Sequence, residues 1–138
     1  MGFNIADTGK KRVVIIGGGF GGLKLANRLK GSNFQIVLID KNNYHQFPPL
    51  LYQVASSGLE SSSISFPFRK IFQKRKNFFF RLAEVRAIVR EKNLVQTSIG
   101  ELKYDYLIIA SGTVTNFFGN EVIEKQALPM KTIEEALI

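Results

Sequence analysis

The sequence predicts an α/β fold in which a parallel sheet is joined to an antiparallel β-meander. Three observations lead there. Two continuous β-branched runs flank a glycine-rich turn and an amphipathic stretch, all within roughly 30 residues, the size of a βαβ unit. Short apolar segments separated by polar turns then fill residues 77–104. A further apolar run, Tyr106 to Ala110, stops at Ser111-Gly112-Thr113.

Taken in order, Met1 to Gly9 has no periodicity, and residues 1–11 read as a disordered leader to a domain spanning 12–138. Arg12 to Ile16 is unbroken and β-branched, as in a strand buried on both faces. Leu23, Leu25, Ala26 and Leu29 recur near helical spacing among polar residues, and Gly31 stops that helix. Phe34 to Ile39 is a second apolar strand closed by Asp40. Pro48-Pro49 marks Asn42 to Pro49 as a loop, a short helix begins at Leu50, and the serines from Ser56 to Ser65 read as another loop. Phe66 to Lys76 reads as a basic helix with Phe68, Ile71 and Phe72 inward. Asn77 to Leu82, Glu84 to Glu91, Leu94 to Ser98 and Glu101 to Tyr104 are expected to form the meander, with turns at Lys92-Asn93 and Ile99-Gly100. Tyr106 to Ala110 reads as a buried strand. Thr132 and Glu135 have the spacing of a capping box, so a helix begins close to Ile138, as in the front part of a longer protein.

Composition narrows the chemistry. Of the 138 residues 45% are apolar, enough for a core without a covalent staple. There is no cysteine, which excludes disulfides, thiolate metal sites and a redox-active Cys pair. One histidine, His45, leaves too few ligands for a transition metal. The net charge of +8 suits an anionic ligand or surface, with a local concentration at Arg69, Lys70, Lys74, Arg75 and Lys76. No basic arm or aromatic-interleaved strip indicates nucleic acid. The apolar run after Lys10-Lys11-Arg12 is too short for an export signal, and no run is long enough to span a bilayer.

Gly17-Gly18-Gly19-Phe20-Gly21-Gly22 fits G-x-G-x-x-G between a predicted strand and a predicted helix. Gly17 permits the tight turn, Gly19 lets backbone approach a pyrophosphate, and Gly22 lets the helix pack closely on the strand. The helix N-terminus then offers N–H groups and a partial positive charge to the phosphates. Asp40, after the next strand, is placed to accept hydrogen bonds from ribose hydroxyls. Together these point to a dinucleotide, and FAD and NAD share the half concerned. Small residues at Ala110-Ser111-Gly112-Thr113 allow close backbone approach to a ligand and shift the balance toward FAD.

The glycine loop, Asp40 and Ala110–Gly112 resemble the Rossmann-like FAD-binding half of the pyridine nucleotide-disulfide oxidoreductase-like flavoproteins. Within them, the string from Asn43 to Ala55 (NYHQFPPLLYQVA) is similar to type II NADH:quinone oxidoreductases, the NADH dehydrogenases. The resemblance runs from about Arg12 to the end. It implies that Gly17, Gly19, Phe20, Gly21 and Gly22 form the pyrophosphate loop. By the same likeness Asp40 and Lys41 serve the ribose and adenine end, and Val85 meets the adenine through its backbone. Pro49 and Leu50 approach the isoalloxazine, and Ala110, Ser111, Gly112 and Thr113 lie beneath the cofactor. Ala-Ser-Gly stands here where the family has Ala-Thr-Gly, keeping a small hydroxyl.

The resemblance further implies an enzyme that passes electrons from NADH through FAD to a membrane quinone in the respiratory chain. Such an enzyme is cytoplasmic and peripheral to the inner face of the cell membrane. The family's acidic residue near the flavin, its NADH domain and its quinone-binding region have no counterpart in these residues, so no catalytic residue is assigned. His45 reads as structural. The alternatives are a nucleotide-binding module without turnover, or the FAD domain of an NAD(P)H:ferredoxin or rubredoxin reductase. Apolar surface left uncovered in such a fragment implies self-association.

Overall fold

The computed structural model describes residues 2–138. Its elements are β1 (Arg12–Ile16), α1 (Phe20–Arg28), β2 (Gln35–Asp40), β3 (Tyr44–Gln46), α2 (Leu51–Ala55), β4 (Ser65–Pro67), α3 (Phe68–Ile71), β5 (Phe78–Leu82), β6 (Val85–Val89), β7 (Leu94–Thr97), β8 (Gly100–Lys103), β9 (Tyr106–Ile109), α4 (Glu121–Gln126) and α5 (Ile133–Ala136). The contacts divide the chain into two compact units where the sequence suggests one domain from residue 12 onward. One comprises Met1–Tyr44 and Pro67–Ser111, the other His45–Phe66 and Gly112–Ile138.

The first unit is built on a sheet of order β5-β2-β1-β9. Every neighbouring pair is parallel, with Val14 beside Val37 on one side and Leu107 on the other. Alternation along the strands sends side chains to two cores. Val13, Ile15, Ile36 and Leu38 meet Ala26 of α1 and Phe68 and Phe72. Val14, Ile16, Val37 and Ile39 face the other way, against Ala83, Val95 and Leu102. This is why β1 and β2 read as continuous apolar runs: both faces are covered. The meander β6-β7-β8 is antiparallel and lies over the second core.

Four expectations need correction. Asn77 to Leu82 does not join the meander. It forms β5, parallel to β2, with Phe78 and Phe80 toward the helices and Phe79 toward the meander. The basic helix expected over 66–76 shortens to Phe68–Ile71. Lys74 takes the left-handed conformation (φ 65°), and the Arg75 guanidinium lies over the rings of Phe72 and Phe78, 5.4 and 4.8 Å from their centroids. The like charges of Lys70 and Lys74 would oppose a longer helix. Strand β9 is an edge, so Tyr106 and Ile109 are exposed rather than buried.

The leader is the fourth. Its residues lack regular structure, but Phe3 is buried in the meander-side core. Arg81 donates from Nε and Nη2 to the Phe3 and Asn4 carbonyls at 2.7 and 3.1 Å, and Gln35 Nε2 donates to the Ala6 carbonyl at 2.7 Å. One apolar ring and a charged donor thus fix a segment that has no periodicity to reveal it. Met1 lies outside the described residues.

In the second unit the loop expected over 42–49 contains β3, and β4 takes up Ser65 and the first two residues of the expected basic helix; the two strands pair with each other. Its core holds Leu51 and Val54 of α2, Ile64, and Ile133 and Ala136 of α5, with α2 against α5. The capping box stands as the sequence predicts. Thr132 Oγ1 accepts from the Glu135 amide and Glu135 Oε2 accepts from the Thr132 amide. Helix α4, which the pattern did not suggest, is capped by Asn120.

Candidate functional site

The glycine turn leaves the C-terminal end of β1, where the Gly17 amide donates to the Ile39 carbonyl at 2.8 Å and Ala110 donates to the Ile16 carbonyl at 2.8 Å. Gly17 has φ 98°, and a Cβ there would overlap the Ala110 carbonyl, its carbon 2.7 Å away. A Cβ on Gly22 would overlap the Gly17 carbonyl and lie 3.3 Å from Ile15 Cγ2. One on Gly18 would run into the Phe68 ring. These three glycines are demanded by the protein's own packing.

Gly19 differs. Its φ is −69°, open to any residue, and a Cβ there would meet nothing within 4 Å. Gly21 is similar, with the Ala110 Cβ at an ordinary 3.9 Å. Neither packing nor conformation explains glycine at 19. A ligand whose phosphates approach that backbone does. Gly19 is also the N-cap of α1, without a side chain to cap it, and the first turn of α1 carries no acidic residue. The partial positive charge of that end is therefore not offset by a neighbouring carboxylate.

Asp40 closes β2 beside this turn. Its Oδ2 accepts from the Gly18 amide at 2.6 Å and its Oδ1 from the Asn42 amide at 2.8 Å. The carboxylate thus ties the glycine turn to the loop after β2, a role not visible in spacing alone. The Asp40 carbonyl accepts from Ala83 at 2.9 Å, which brings the start of β6, with half-buried Val85, to the end of β2. Lys41 is exposed. The structure therefore gathers Gly17, Gly19, Phe20, Gly21, Gly22, Asp40, Ala110 and Ser111 around the C-terminal ends of β1, β2 and β9. Ligands of open α/β sheets bind at such strand ends.

In the second unit Pro48–Leu50 forms a 3-10 turn leading into α2. Pro49 is exposed and Leu50 half-buried. Gly112 has φ 72° and Thr113 Oγ1 accepts from Lys131 Nζ at 3.2 Å. His45 is buried beside Phe66, in keeping with a structural residue. Gln46, which the sequence did not single out, clamps the second half of this unit. Its Nε2 donates to the Lys131 carbonyl at 3.0 Å and its Oε1 accepts from the Ile133 amide at 3.2 Å. More than 80 residues separate these partners, so no local pattern announces them.

Residues that fit a metal are lacking: among the described residues no group of three His, Asp or Glu side chains could hold an ion. No helix among them is long and apolar enough to cross a membrane.

Sheet order, glycine turn and meander together define a Rossmann-like α/β fold. The family model for pyridine nucleotide-disulphide oxidoreductases matches residues 11–136, and the chain belongs to that family. It is 42% identical over 136 residues to the type II NADH:quinone oxidoreductase NdhA of Mycobacterium tuberculosis, covering 96% of this chain and 29% of the relative. It is 39% identical to Ndh of the same organism, covering 93% of this chain and 28% of that one. Among solved structures, NDH2 of Plasmodium falciparum in complex with NADH superposes with a TM-score of 0.85 at 27% identity, over 93% of this chain and 27% of that one. The sulfide:quinone oxidoreductase of Aquifex aeolicus gives 0.84 at 34% identity, over 92% and 30%. The chain thus spans less than a third of the length of these relatives.

Proposed function

We propose that this chain is the FAD-binding portion of an NADH dehydrogenase that moves electrons from NADH through FAD to a membrane quinone. The observation that carries the reading is Gly19, a glycine that the fold does not need, at the N-terminus of α1 and next to Gly18, whose amide donates to Asp40. The resemblance of the chain to quinone oxidoreductases that use NADH supplies the electron donor and acceptor.

In this reading Gly17 and Gly22 hold the turn in place, while Gly19, Phe20 and Gly21 present backbone to the pyrophosphate. Asp40 and Lys41 serve the adenosine end with Val85. Pro49, Leu50 and the segment Ala110 to Thr113 lie along the flavin. Bound FAD supplies hydride acceptance and electron transfer, and the protein supplies position and electrostatics. No side chain here is assigned acid, base or nucleophile chemistry. An enzyme of this kind works in the respiratory chain, peripheral to the inner face of the cell membrane.

The purified chain should carry FAD: a yellow protein whose heat-released flavin elutes as FAD. Colourless protein that takes up no added FAD refutes the reading. We also infer self-association. Val114, Phe118 and Leu128 are 83, 90 and 74% exposed, large apolar side chains without cover. Sedimentation should show concentration-dependent species, and a monomer at every concentration contradicts it.

A further inference from the structure

The charge of this protein is segregated. The chain has no Asp or Glu between Asp7 and Asp40, nor between Glu60 and Glu84. Those two stretches contain α1 and α3, which lie side by side on one face of the parallel sheet through Ala26, Phe68 and Phe72. The Arg75 guanidinium stitches them together, donating to the Ala26 carbonyl at 2.7 Å. On α1, α3 and the turns that follow them stand Lys24, Arg28, Lys30, Arg69, Lys70, Lys74, Arg75 and Lys76. All are exposed except Arg75, which is half-buried between aromatic rings. With nineteen Lys and Arg and eleven Asp and Glu in all, setting these eight aside leaves the rest of the chain neutral. These eight cations equal the net charge of +8, and all of them stand on α1, α3 or the turns that follow.

The position of this charge has no use in the dinucleotide site, which lies at the strand ends. Nor does packing call for it, since the inner side of the layer is aromatic and aliphatic. We propose that this layer is a docking face for an anionic lipid surface. The aromatic rings of the layer decide between polyanions. Phe80, Phe68, Phe72 and Phe78 pack on one another toward the sheet, with centroids of successive pairs 4.9, 6.4 and 4.0 Å apart, and so offer no platform for nucleic-acid bases. Neither helix is presented as an isolated reading element for a groove, because both are packed on the sheet. A plane of anionic headgroups asks only for cations on a common face, each contributing independently and each screened by salt. Attachment through this face is electrostatic and reversible, without inserted apolar side chains. The inference rests on charge placement alone, so its failure leaves the redox reading standing.

The test uses the 138-residue chain and sedimentation with vesicles of phosphatidylcholine, with or without about one-third phosphatidylglycerol. The chain should bind the anionic vesicles at low salt, ignore the neutral ones, and release at high salt. K70E/K74E on the α3 side and K24E/K30E on the α1 side should each weaken binding at least tenfold. K92E/K103E, the same charge change on the meander, should shift it less than threefold. Circular dichroism of each variant confirms the fold. Equal losses from all three variants would show a net-charge effect without a face and overturn the proposal. So would no binding to anionic vesicles, or tighter capture by duplex DNA at equal phosphate concentration.

Discussion

Replacing Gly19 and Gly17 by alanine, one at a time, separates what the ligand requires from what the fold requires. At Gly17 the new Cβ is 2.7 Å from the Ala110 carbonyl carbon and the backbone is held at φ 98°. The obstacle is backbone, which cannot rotate away, so overpacking and left-handed strain add to about 3 kcal/mol or more. In a domain of this size that lowers the melting temperature by roughly 10 °C. G22A, facing the Gly17 carbonyl, should behave alike. At Gly19 the Cβ enters open space. Alanine is a poorer N-cap than glycine by about 1 kcal/mol, but it also restricts the unfolded chain by about 0.4–1 kcal/mol, so stability should change by less than about 1 kcal/mol. FAD affinity should nevertheless fall at least tenfold, because the methyl stands where the phosphates approach. Thermal unfolding by circular dichroism and FAD titration by fluorescence read the two effects independently. If G19A melts as early as G17A, or binds FAD as tightly as the parent, the assignment of Gly19 to the ligand is wrong.

Other consequences can be checked in the same way. Asp40→Ala removes a charged acceptor from the Gly18 and Asn42 amides, so the ligand-free protein should lose about 2–3 kcal/mol besides losing adenosine affinity; unchanged denaturant stability would remove Asp40 from the turn. Arg81→Ala should loosen residues 3–4 and lower stability by about 2 kcal/mol, seen as faster amide exchange in β5 and in the meander, and an unaltered exchange pattern would contradict the anchoring role. The Asp105 carboxyl is held below the usual carboxylate range by the Arg12 amide first and by Lys11 second. Its stabilisation is complete above about pH 4, the unfolded value, and is lost as the pH falls through the lower folded value. D105N should therefore flatten the acid limb of the stability curve, and an identical limb in the two proteins would refute this.

Much of the fold was legible because the parallel sheet is covered on both faces. The continuous runs Val13–Ile16 and Gln35–Ile39 bury every residue, as such a sheet requires. The glycine turn and Asp40 were legible because their spacing follows from the length of a βαβ unit. Strand β5 was misplaced since its three phenylalanines suit a strand of either sheet, and its partner β2 lies about 40 residues earlier. The short α3 escaped because what ends it is a stacking of Arg75 on Phe72 and Phe78, a tertiary contact. Gln46 and Phe3 were invisible for the same reason: their partners, Lys131 and Arg81, are far along the chain.

Gly18 shows how a motif can be read correctly yet incompletely. The sequence motif leaves its second position unassigned, but here Phe68 occupies the space of the missing side chain. The glycine run is therefore a mixture of positions fixed by packing (Gly17, Gly18 and Gly22) and positions that packing leaves open (Gly19 and Gly21).

The most direct measurement is thermal unfolding of the chain, freed of bound nucleotide, with FAD, ADP or NAD titrated separately. Saturating FAD at about 100 times its dissociation constant should add about 2.7 kcal/mol and raise the melting temperature by several degrees. ADP, and NAD through the same adenosine half, should each give a smaller rise than FAD. Stabilisation by NAD with no response to FAD would contradict the account.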